Sequence, residues 1–262
     1  MKSMNVTLFG GSFNPPHLGH QIVIHQAFEL IPDIDELWIL PCFQHTFLKD
    51  LAPADQRLKM CELLVQDLDP YKQQGAGSGD KFANASRTRP TAWQASEQKK
   101  TFRTESFEAE RISVARAKAT SLKSRVRVCP IEIDLKLSGE TYEALQKLKS
   151  ESNYLKKTML ASTPYSLLPT SYSFLMGTDQ LKDFKKWGSW EKLLEEMPFY
   201  IYPRAGFNNA MSYPNMTLLT SPTQVITNIS STLVRERIQQ GQQIVHLLPT
   251  SVLKYLRVHQ LY

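Results

Sequence analysis

Cysteine is scarce in this chain of 262 residues, and no run of apolar residues approaches the length of a membrane span. The three cysteines, Cys42, Cys61 and Cys129, are odd in number and far apart. This spacing argues against a disulfide framework or a zinc site and fits reduced thiols. The N-terminus also carries no signal-peptide pattern. We therefore expect a cytoplasmic protein with no membrane partner.

Acidic residues are outnumbered by basic ones. Asp and Glu total 25 and Lys and Arg total 31, so the formal net charge is +6. An excess of positive charge favours an anionic partner, and composition alone leaves both a polyphosphate and a nucleic acid open. The length allows one α/β domain with an insertion, or two small domains.

The most informative feature is a stretch at residues 10–20 with the sequence GGSFNPPHLGH, called here the histidine loop. Residues 6–9 before it form a short apolar run typical of a buried strand, and residues 21–30 after it have the pattern of a helix with one apolar face. A strand, a glycine pair and a helix in this order place free backbone N–H groups at a helix N-terminus. Phosphate groups bind at such a terminus.

Two histidines distinguish the histidine loop from a generic phosphate-binding loop. His17 and His20 are three residues apart, so their imidazoles share one face of the first helical turn. Two converging donors can neutralise the charge that grows on a phosphoryl group during its transfer. A metal pair is the alternative, but no third ligand follows at a recognisable spacing. Histidines that are satisfied locally in a loop are the other alternative.

The histidine loop resembles the signature of the HxGH nucleotidyltransferases. Its SFNPP segment is most similar to the nicotinate/nicotinamide mononucleotide adenylyltransferases of NAD synthesis. A second motif, ISSTLVR at residues 229–235, places hydroxyl side chains at a loop-to-helix junction, where they can cap a helix and donate to a polyphosphate. Arg235 adds a fork of donors one turn later. Alone, this motif is an ordinary helix cap with a surface arginine; the two motifs together are the hallmark of the superfamily.

The resemblance implies a Rossmann-like α/β fold and the transfer of AMP from ATP to a pyridine mononucleotide, with release of pyrophosphate. It assigns the positioning of phosphates and the stabilisation of charge to His17, His20, Lys49 and Arg235. It assigns ATP binding to Gly10, Gly11, Ser12, Phe13, His17, His20, Gly177, Asp179, Arg204, Ile229, Ser230, Ser231, Thr232 and Arg235. It assigns mononucleotide binding to Ser12, Phe13, Asn14, Lys49, Thr141 and Trp187.

Two of these assignments depend on local pattern. Lys49 lies in a loop after the predicted strand 37–41 and is followed by Pro53 and Arg57, an arrangement similar to the family's; a solvated surface lysine is the alternative. Thr141 matches the last position of a Ser-Tyr-Thr motif that contacts the pyridine substituent in bacterial members. Glu140 stands where that motif has tyrosine, and a helix-cap hydroxyl is the simpler role for the threonine.

The remaining assignments lie after two further predicted strands, residues 173–176 and 198–202. Gly177 lets a ligand approach the backbone, and the Asp179 carboxylate can accept hydrogen bonds from ribose hydroxyls. The resemblance gives Trp187 the role of stacking on the pyridine ring, as an indole face can do. Arg204 belongs to a turn that is similar to the family's Arg-Pro-Gly, with Ala205 in place of proline.

Residues 72–123 do not share the resemblance. A linker rich in Gln, Gly and Ser is followed by basic residues with scattered aromatics. Such a composition can bind single-stranded nucleic acid, but a flexible, solvated insertion is its commoner meaning, and an oligomerisation or partner arm is a third alternative. Outside the insertion we predict a helix at 55–68, strands at 126–129 and 131–133, a helix at 138–148 and a closing helix within 247–262.

These observations predict one nucleotidyltransferase domain over residues 1–262, with a parallel sheet flanked by helices and the insertion within it. The expected partners are ATP, with Mg²⁺ carried by the nucleotide and no metal held by the protein, and a pyridine mononucleotide. The short, bacterial-style motifs favour nicotinate over nicotinamide mononucleotide. Phosphopantetheine and small alcohol-phosphate transferases share the histidine chemistry, and a nucleotide-binding or nucleic-acid-binding protein is the alternative of another class. The oligomeric state is open.

Overall fold

The computed structural model describes residues 4–44, 50–69, 121–159, 171–208 and 213–262. The chain divides into two units, Met1–Leu68 with Arg125–Tyr262, and Asp69–Ser124. The predicted insertion at 72–123 falls in the second unit, and all of it before residue 121 lies outside the described residues, so its character and the single-domain organisation stay predictions. The sheet and the cavity belong to the first unit.

Six parallel strands form one sheet in the order β3-β2-β1-β4-β5-β6. The strands are β1 (Asn5–Gly11), β2 (Glu36–Pro41), β3 (Val126–Val128), β4 (Ser171–Gly177), β5 (Phe199–Tyr202) and β6 (Met216–Leu218). The helices are α1 (Leu18–Leu30), α2 (Ala54–Gln66), α3 (Leu122–Arg125), α4 (Ile131–Asp134), α5 (Thr141–Ser150), α6 (Ser152–Thr158), α7 (Trp190–Glu196), α8 (Ser231–Gln239) and α9 (Thr250–Val258), with a 3₁₀ helix at Thr178–Lys186.

The central strands are apolar on both faces because helices cover both sides of the sheet. Leu8 of β1 is paired with Trp38 of β2 and with Phe174 of β4, and all three are buried on one face. Phe9, the next residue along β1, is paired with Ile39 and Leu175 and is buried on the other face, because successive side chains of a strand point in opposite directions. Continuous apolar runs of this kind are typical of parallel sheets.

The strand order places a topological switch point between β1 and β4. Chain connections leave the sheet in opposite directions on either side of this pair, so a crevice opens outside the carboxyl ends of the two strands, where ligands of doubly wound sheets bind. The order and the flanking helices confirm the predicted Rossmann-like fold with its parallel sheet.

The predicted strand at 131–133 is wrong, because these residues lie in the single helical turn α4. The backbone N–H of Cys129 still donates to Ile39 in the sheet, but Pro130 has no N–H to continue the pairing. Its carbonyl instead accepts hydrogen bonds from the N–H groups of Ile133 and Asp134, which closes the turn. The apolar residues at 131 and 133 fit either structure, since short apolar runs do not distinguish a strand from a helix.

The part of the chain that the structure describes contains no helix long and apolar enough to cross a membrane.

Candidate active site

The two histidines lie together at the start of α1, beyond the end of β1. His17 is the N-cap residue and His20 lies one turn later, with their ring centroids 3.8 Å apart. The backbone N–H of His17 donates to Nδ1 of His20 over 3.0 Å. Because Nδ1 accepts a hydrogen bond, the proton of a neutral His20 belongs on Nε2, which leaves Nε2 as a donor.

Both imidazoles are held in the neutral form. Burial lowers the pKa of His17 well below its usual value, and the charges of His20 and Arg204 lower it further. Burial, followed by the Arg204 guanidinium, lowers the pKa of His20 to about 3. At neutral pH the pair therefore offers N–H donors without positive charge of its own, and the cationic side chains that line the cavity are Lys182, Arg204 and Arg235.

Gly19 allows the ring of His17 to lie flat against the first turn of α1. A Cβ atom at this position would lie 2.9 Å from both Cε1 and Nδ1 of His17, and 3.2 Å from the carbonyl oxygen of Ile229. A side chain at residue 19 would therefore displace the imidazole or the backbone of the neighbouring loop. Residue 19 is therefore glycine because the His17 ring and the Ile229 carbonyl lie too close to leave room for a side chain.

The N-terminus of α8 is bonded to the histidine loop. The Ser231 hydroxyl donates to the carbonyl of Pro15 over 2.9 Å, and Nη1 of Arg235 donates to the carbonyl of Asn14 over 2.7 Å. Ser230 is the N-cap residue of α8 and its hydroxyl accepts from the N–H of Leu233. Two helix N-termini, α1 and α8, therefore open on the same cavity and direct backbone N–H groups and positive dipole ends at it.

Asn14 links three segments through its side chain. Its Nδ2 donates to the carbonyl of Asp50 over 3.2 Å, and its Oδ1 accepts from the N–H of Ala52 over 3.0 Å and from the hydroxyl of Tyr262 over 2.5 Å. The histidine loop is thereby tied to the segment that follows Lys49 and to the last residue of the chain. Lys49 itself, with residues 45–48, lies outside the described residues, so its predicted role stays a prediction.

Arg57, a buried residue of α2, supports the same region from below. Within the described residues its guanidinium donates only to carbonyl oxygens, those of Ala52, Ser12, Cys42 and Phe43, over 2.7–2.9 Å. Four carbonyls from the histidine loop and from both ends of the β2–α2 connection are therefore held by one side chain.

The ends of β4 and β5 bring a charged pair to the cavity. The N–H of Arg204 donates to the Thr178 hydroxyl, and its Nη2 donates to the carbonyl of Ile229 over 3.0 Å. Its Nε lies 3.8 Å from Oδ1 of Asp179, and neither of these two buried atoms has a hydrogen-bond partner among the described residues. Donor and acceptor capacity is therefore left for a ligand.

An aromatic wall borders the other end of the cavity. Trp187 is partly buried. It packs edge-on against Phe174, with ring centroids 5.7 Å apart, and at a tilt against Phe184, with ring centroids 5.3 Å apart. Thr141 lines the same cavity and begins α5, and Glu140 is the N-cap residue of that helix. The predicted hydroxyl cap at this terminus is absent; instead, the N–H and hydroxyl of Ser138 donate to the carboxylate of Glu143 in the first turn.

One cavity of about 440 Å³ collects most of the predicted site residues. Those that line it are Gly10, Gly11, Ser12, Phe13, Asn14, His17, His20, Thr141, Gly177, Asp179, Trp187, Arg204, Ser230, Ser231, Thr232 and Arg235. Ile229 is behind the wall and contributes its carbonyl to Arg204. No group of three or more His, Cys, Asp or Glu residues within the described ranges is arranged to hold a metal ion.

Sequence reasoning missed several residues that build the cavity. Glu132 is buried in its wall, its Oε2 has no hydrogen-bond partner among the described residues, and burial raises the pKa of its carboxyl to about 8. The sequence pattern places Arg57 only at a helix start and does not predict that its guanidinium donates to four backbone carbonyls. Tyr262 gave no signal, because its partner is 248 positions away.

Comparison with known proteins agrees with this geometry. The sequence profile of the family described as cytidylyltransferase-like matches residues 8–79 and 92–237. A Myxococcus xanthus protein named "Probable nicotinate-nucleotide adenylyltransferase" is 25% identical over 260 residues, covering 99% of this chain and 95% of its own; an Oceanobacillus iheyensis protein of the same name is 25% identical and covers 98% and 96%. The structure of Plasmodium falciparum nicotinic acid mononucleotide adenylyltransferase complexed with NaAD superimposes with a TM-score of 0.62 at 19% identity, over 99% of this chain and 97% of that one.

Proposed function

The chain belongs to the cytidylyltransferase-like family, and from this premise we propose that it is an adenylyltransferase of NAD synthesis, which transfers AMP from ATP to nicotinate mononucleotide and releases pyrophosphate. Family membership bears out the resemblance that the two motifs gave. The acceptor is taken from full-length relatives named as nicotinate-nucleotide adenylyltransferases. The observation that carries the proposal is the pair of neutral histidines at the N-terminus of α1, in a loop whose Pro15 and Asn14 carbonyls accept hydrogen bonds from Ser231 and Arg235 of α8.

This geometry suits an in-line displacement at the α-phosphorus of ATP. The 5′-phosphate oxygen of the mononucleotide forms the new P–O bond while the bond to the bridging α,β-oxygen breaks, and the electron pair leaves with pyrophosphate. The attacking phosphate is already an anion, so no general base is required. Catalysis then depends on positioning and on stabilising the charge that spreads over the phosphoryl oxygens.

The described residues divide this work between them. Nε2–H of His20 is free to donate to a phosphoryl oxygen, and the His17 imidazole, which lines the same cavity, is proposed as the second donor. Arg235 adds charge and a fork of donors at the same end, and Lys49 is proposed to reach the mononucleotide phosphate. The Asp179 carboxylate, whose Oδ1 has no hydrogen-bond partner among the described residues, is proposed to accept from a ribose hydroxyl.

Trp187 is proposed to receive the pyridine ring. Its indole packs edge-on against Phe174 and at a tilt against Phe184, and it lines the cavity, where an aromatic ring could stack on it. Thr141 lines the same cavity, at the start of a helix, and is proposed to contact the mononucleotide.

Mg²⁺ fits this site as a companion of ATP. The carboxylates that line the cavity do not form a metal-binding cage within the described residues. In nucleotide sites Mg²⁺ commonly keeps several water ligands and is bound by phosphate oxygens of the substrate. When bound, it would neutralise charge on the phosphates.

The test is pyrophosphate release from Mg²⁺-ATP with nicotinate mononucleotide, with phosphopantetheine and no acceptor as references. We expect release with the pyridine mononucleotide and none above background with phosphopantetheine. The His20→Ala variant should lose turnover by a factor of at least 100, whereas His25→Ala, an exposed histidine on the same helix, should retain it. Release with His20→Ala at the wild-type rate would remove His20 from the mechanism.

Two further expectations join the proposal. A cytoplasmic location is consistent with the three buried, free cysteines, and fractionation of cells that express the tagged chain would test it. Binding of nucleic acid by residues 72–123 stays a prediction, which a salt-dependent gel shift lost on deletion of this segment would support.

A further inference from the structure

Glu140 brings a carboxylate to the aromatic end of the cavity. It is the residue before α5, and its side chain lies across Gly188, the neighbour of Trp187. A Cβ atom at Gly188 would lie 2.0 Å from Oε2 and 2.7 Å from Oε1 of Glu140. Only a glycine lets the carboxylate approach the backbone so closely, so the two residues form a matched pair beside the indole.

The acceptor capacity of this carboxylate is unused in the described part of the chain. The neighbouring acids are engaged: Glu143 accepts from Ser138, and Asp183 forms an ion pair with Lys186. Glu140 forms no hydrogen bond through its carboxylate and no ion pair with any described residue, although it lines the cavity. A half-buried carboxylate with free lone pairs selects ligands that donate hydrogen bonds and opposes ligands that carry negative charge.

Resting on the proposed function, we propose that Glu140 reads the substituent of the pyridine ring and admits nicotinamide mononucleotide as a second acceptor. Glu140 lies against Gly188, the residue after Trp187, so a ring stacked on Trp187 can bring its substituent to the Glu140 carboxylate. The amide of the nicotinamide form donates N–H to the Glu140 carboxylate. The carboxylate of the nicotinate form meets a like charge there, so Glu140 moves selectivity toward the amide.

The test compares kcat and KM for the two mononucleotides in the wild-type chain and in Glu140→Gln. The substitution keeps the shape, removes the charge and adds a donor. We expect the wild-type chain to use nicotinamide mononucleotide, and the ratio of kcat/KM for nicotinamide over nicotinate to fall at least tenfold in the variant. The change should appear in the KM of the mononucleotides, with the KM of ATP unchanged, which a merely structural role would not produce.

Two further variants make the outcome decisive. Glu140→Ala, which removes the charge without adding a donor, should lower the ratio in the same direction, and it replaces Glu140→Gln if circular dichroism shows that variant unfolded. Glu191→Gln removes an exposed carboxylate from α7, outside the cavity, and should leave the ratio unchanged.

Each result bears on one claim. A wild-type chain that uses only nicotinate mononucleotide, or a ratio that stays within twofold of wild type in folded Glu140 variants, overturns the inference while leaving adenylyl transfer in place. Absence of pyrophosphate release with both mononucleotides would instead overturn the proposed function.

Discussion

Replacing Gly19 by alanine tests whether the histidine geometry depends on a missing side chain. Alanine at this position places its Cβ 2.9 Å from two atoms of the His17 ring and 3.2 Å from the Ile229 carbonyl. Contacts below 3.0 Å do not persist, so either the imidazole or the 229 loop must move. Overpacking of this kind costs about 1–3 kcal/mol, whereas the change from glycine to alanine in a helix gains up to about 1 kcal/mol.

The helix-propensity gain offsets only part of the overpacking cost, and nothing offsets the effect on turnover. We expect the free energy of unfolding of Gly19→Ala to be within about 2 kcal/mol of wild type. An imidazole displaced by about 1 Å loses its alignment with the phosphoryl group, for which a fall of about 100-fold in kcat is expected. The measurements are pyrophosphate release under saturating substrates and urea unfolding.

A control variant separates the effect of the alanine at residue 19 from the general effect of a new alanine in α1. Glu29→Ala changes an exposed residue of the same helix α1 and should leave kcat unchanged. If folded Gly19→Ala turned over at the wild-type rate, the close approach of His17 to residue 19 would have no part in catalysis, and the account of the His-Leu-Gly-His spacing would be refuted.

Three other predictions concern residues that support the cavity. Tyr262→Phe removes the hydroxyl that donates to Asn14 Oδ1, while the hydrogen bond from the backbone N–H of Ala52 remains. We expect the free energy of unfolding to fall by about 1 kcal/mol and kcat to fall severalfold at an unchanged KM for ATP. An unchanged kcat would show that this hydrogen bond does not position the histidine loop for catalysis. Trp187→Ala should raise the KM of the mononucleotide about fivefold, the value of one stacking contact, without raising that of ATP, as initial-rate kinetics will show. Burial raises the pKa of Glu132 from 4.5 to about 8 in the folded chain, so the folded state holds the proton more tightly than the unfolded state. The free energy of unfolding therefore falls as pH rises between these values, by up to about 1.4 kcal/mol per pH unit. In urea unfolding, Glu132→Gln should show a smaller fall of this free energy with pH than wild type, and an equal fall in the two proteins would rule this out.

The sequence predicts best those parts of the site whose chemistry is local. The order of strand, glycine pair and helix around His17 and His20 predicts a phosphate-binding helix N-terminus from neighbouring residues alone. The structure brings both histidines and the N-terminus of α8 to one cavity. The central strands were equally clear, because strands buried on both faces are continuously apolar. β6 (Met216–Leu218) and the 3₁₀ helix (Thr178–Lys186) were missed, since three residues on a sheet edge and a polar 3₁₀ segment have no distinctive period.

What could not be predicted depends on contacts between distant residues. The pairing of Glu140 with Gly188 joins α5 to the turn before α7, and neither residue alone indicates that a carboxylate will border an indole. Asn14 was expected to touch the mononucleotide, but its side chain is committed to Asp50, Ala52 and Tyr262, so its described contacts are with the protein. The local sequence pattern indicates which roles a residue can have, and only the tertiary structure shows which partner its side chain contacts.

The arginines explain why the charge of the cavity is available to a polyphosphate. Arg57 donates to four carbonyls, and Arg235 donates to the Asn14 carbonyl and the Thr232 hydroxyl, so among the described residues neither is paired with a carboxylate. Carbonyl partners fix the position of a guanidinium without cancelling its charge, whereas an ion pair would do both. The positive potential of these guanidinium groups therefore persists at the cavity. The net charge of the chain would permit such a site, but it is the choice of carbonyl partners that creates it.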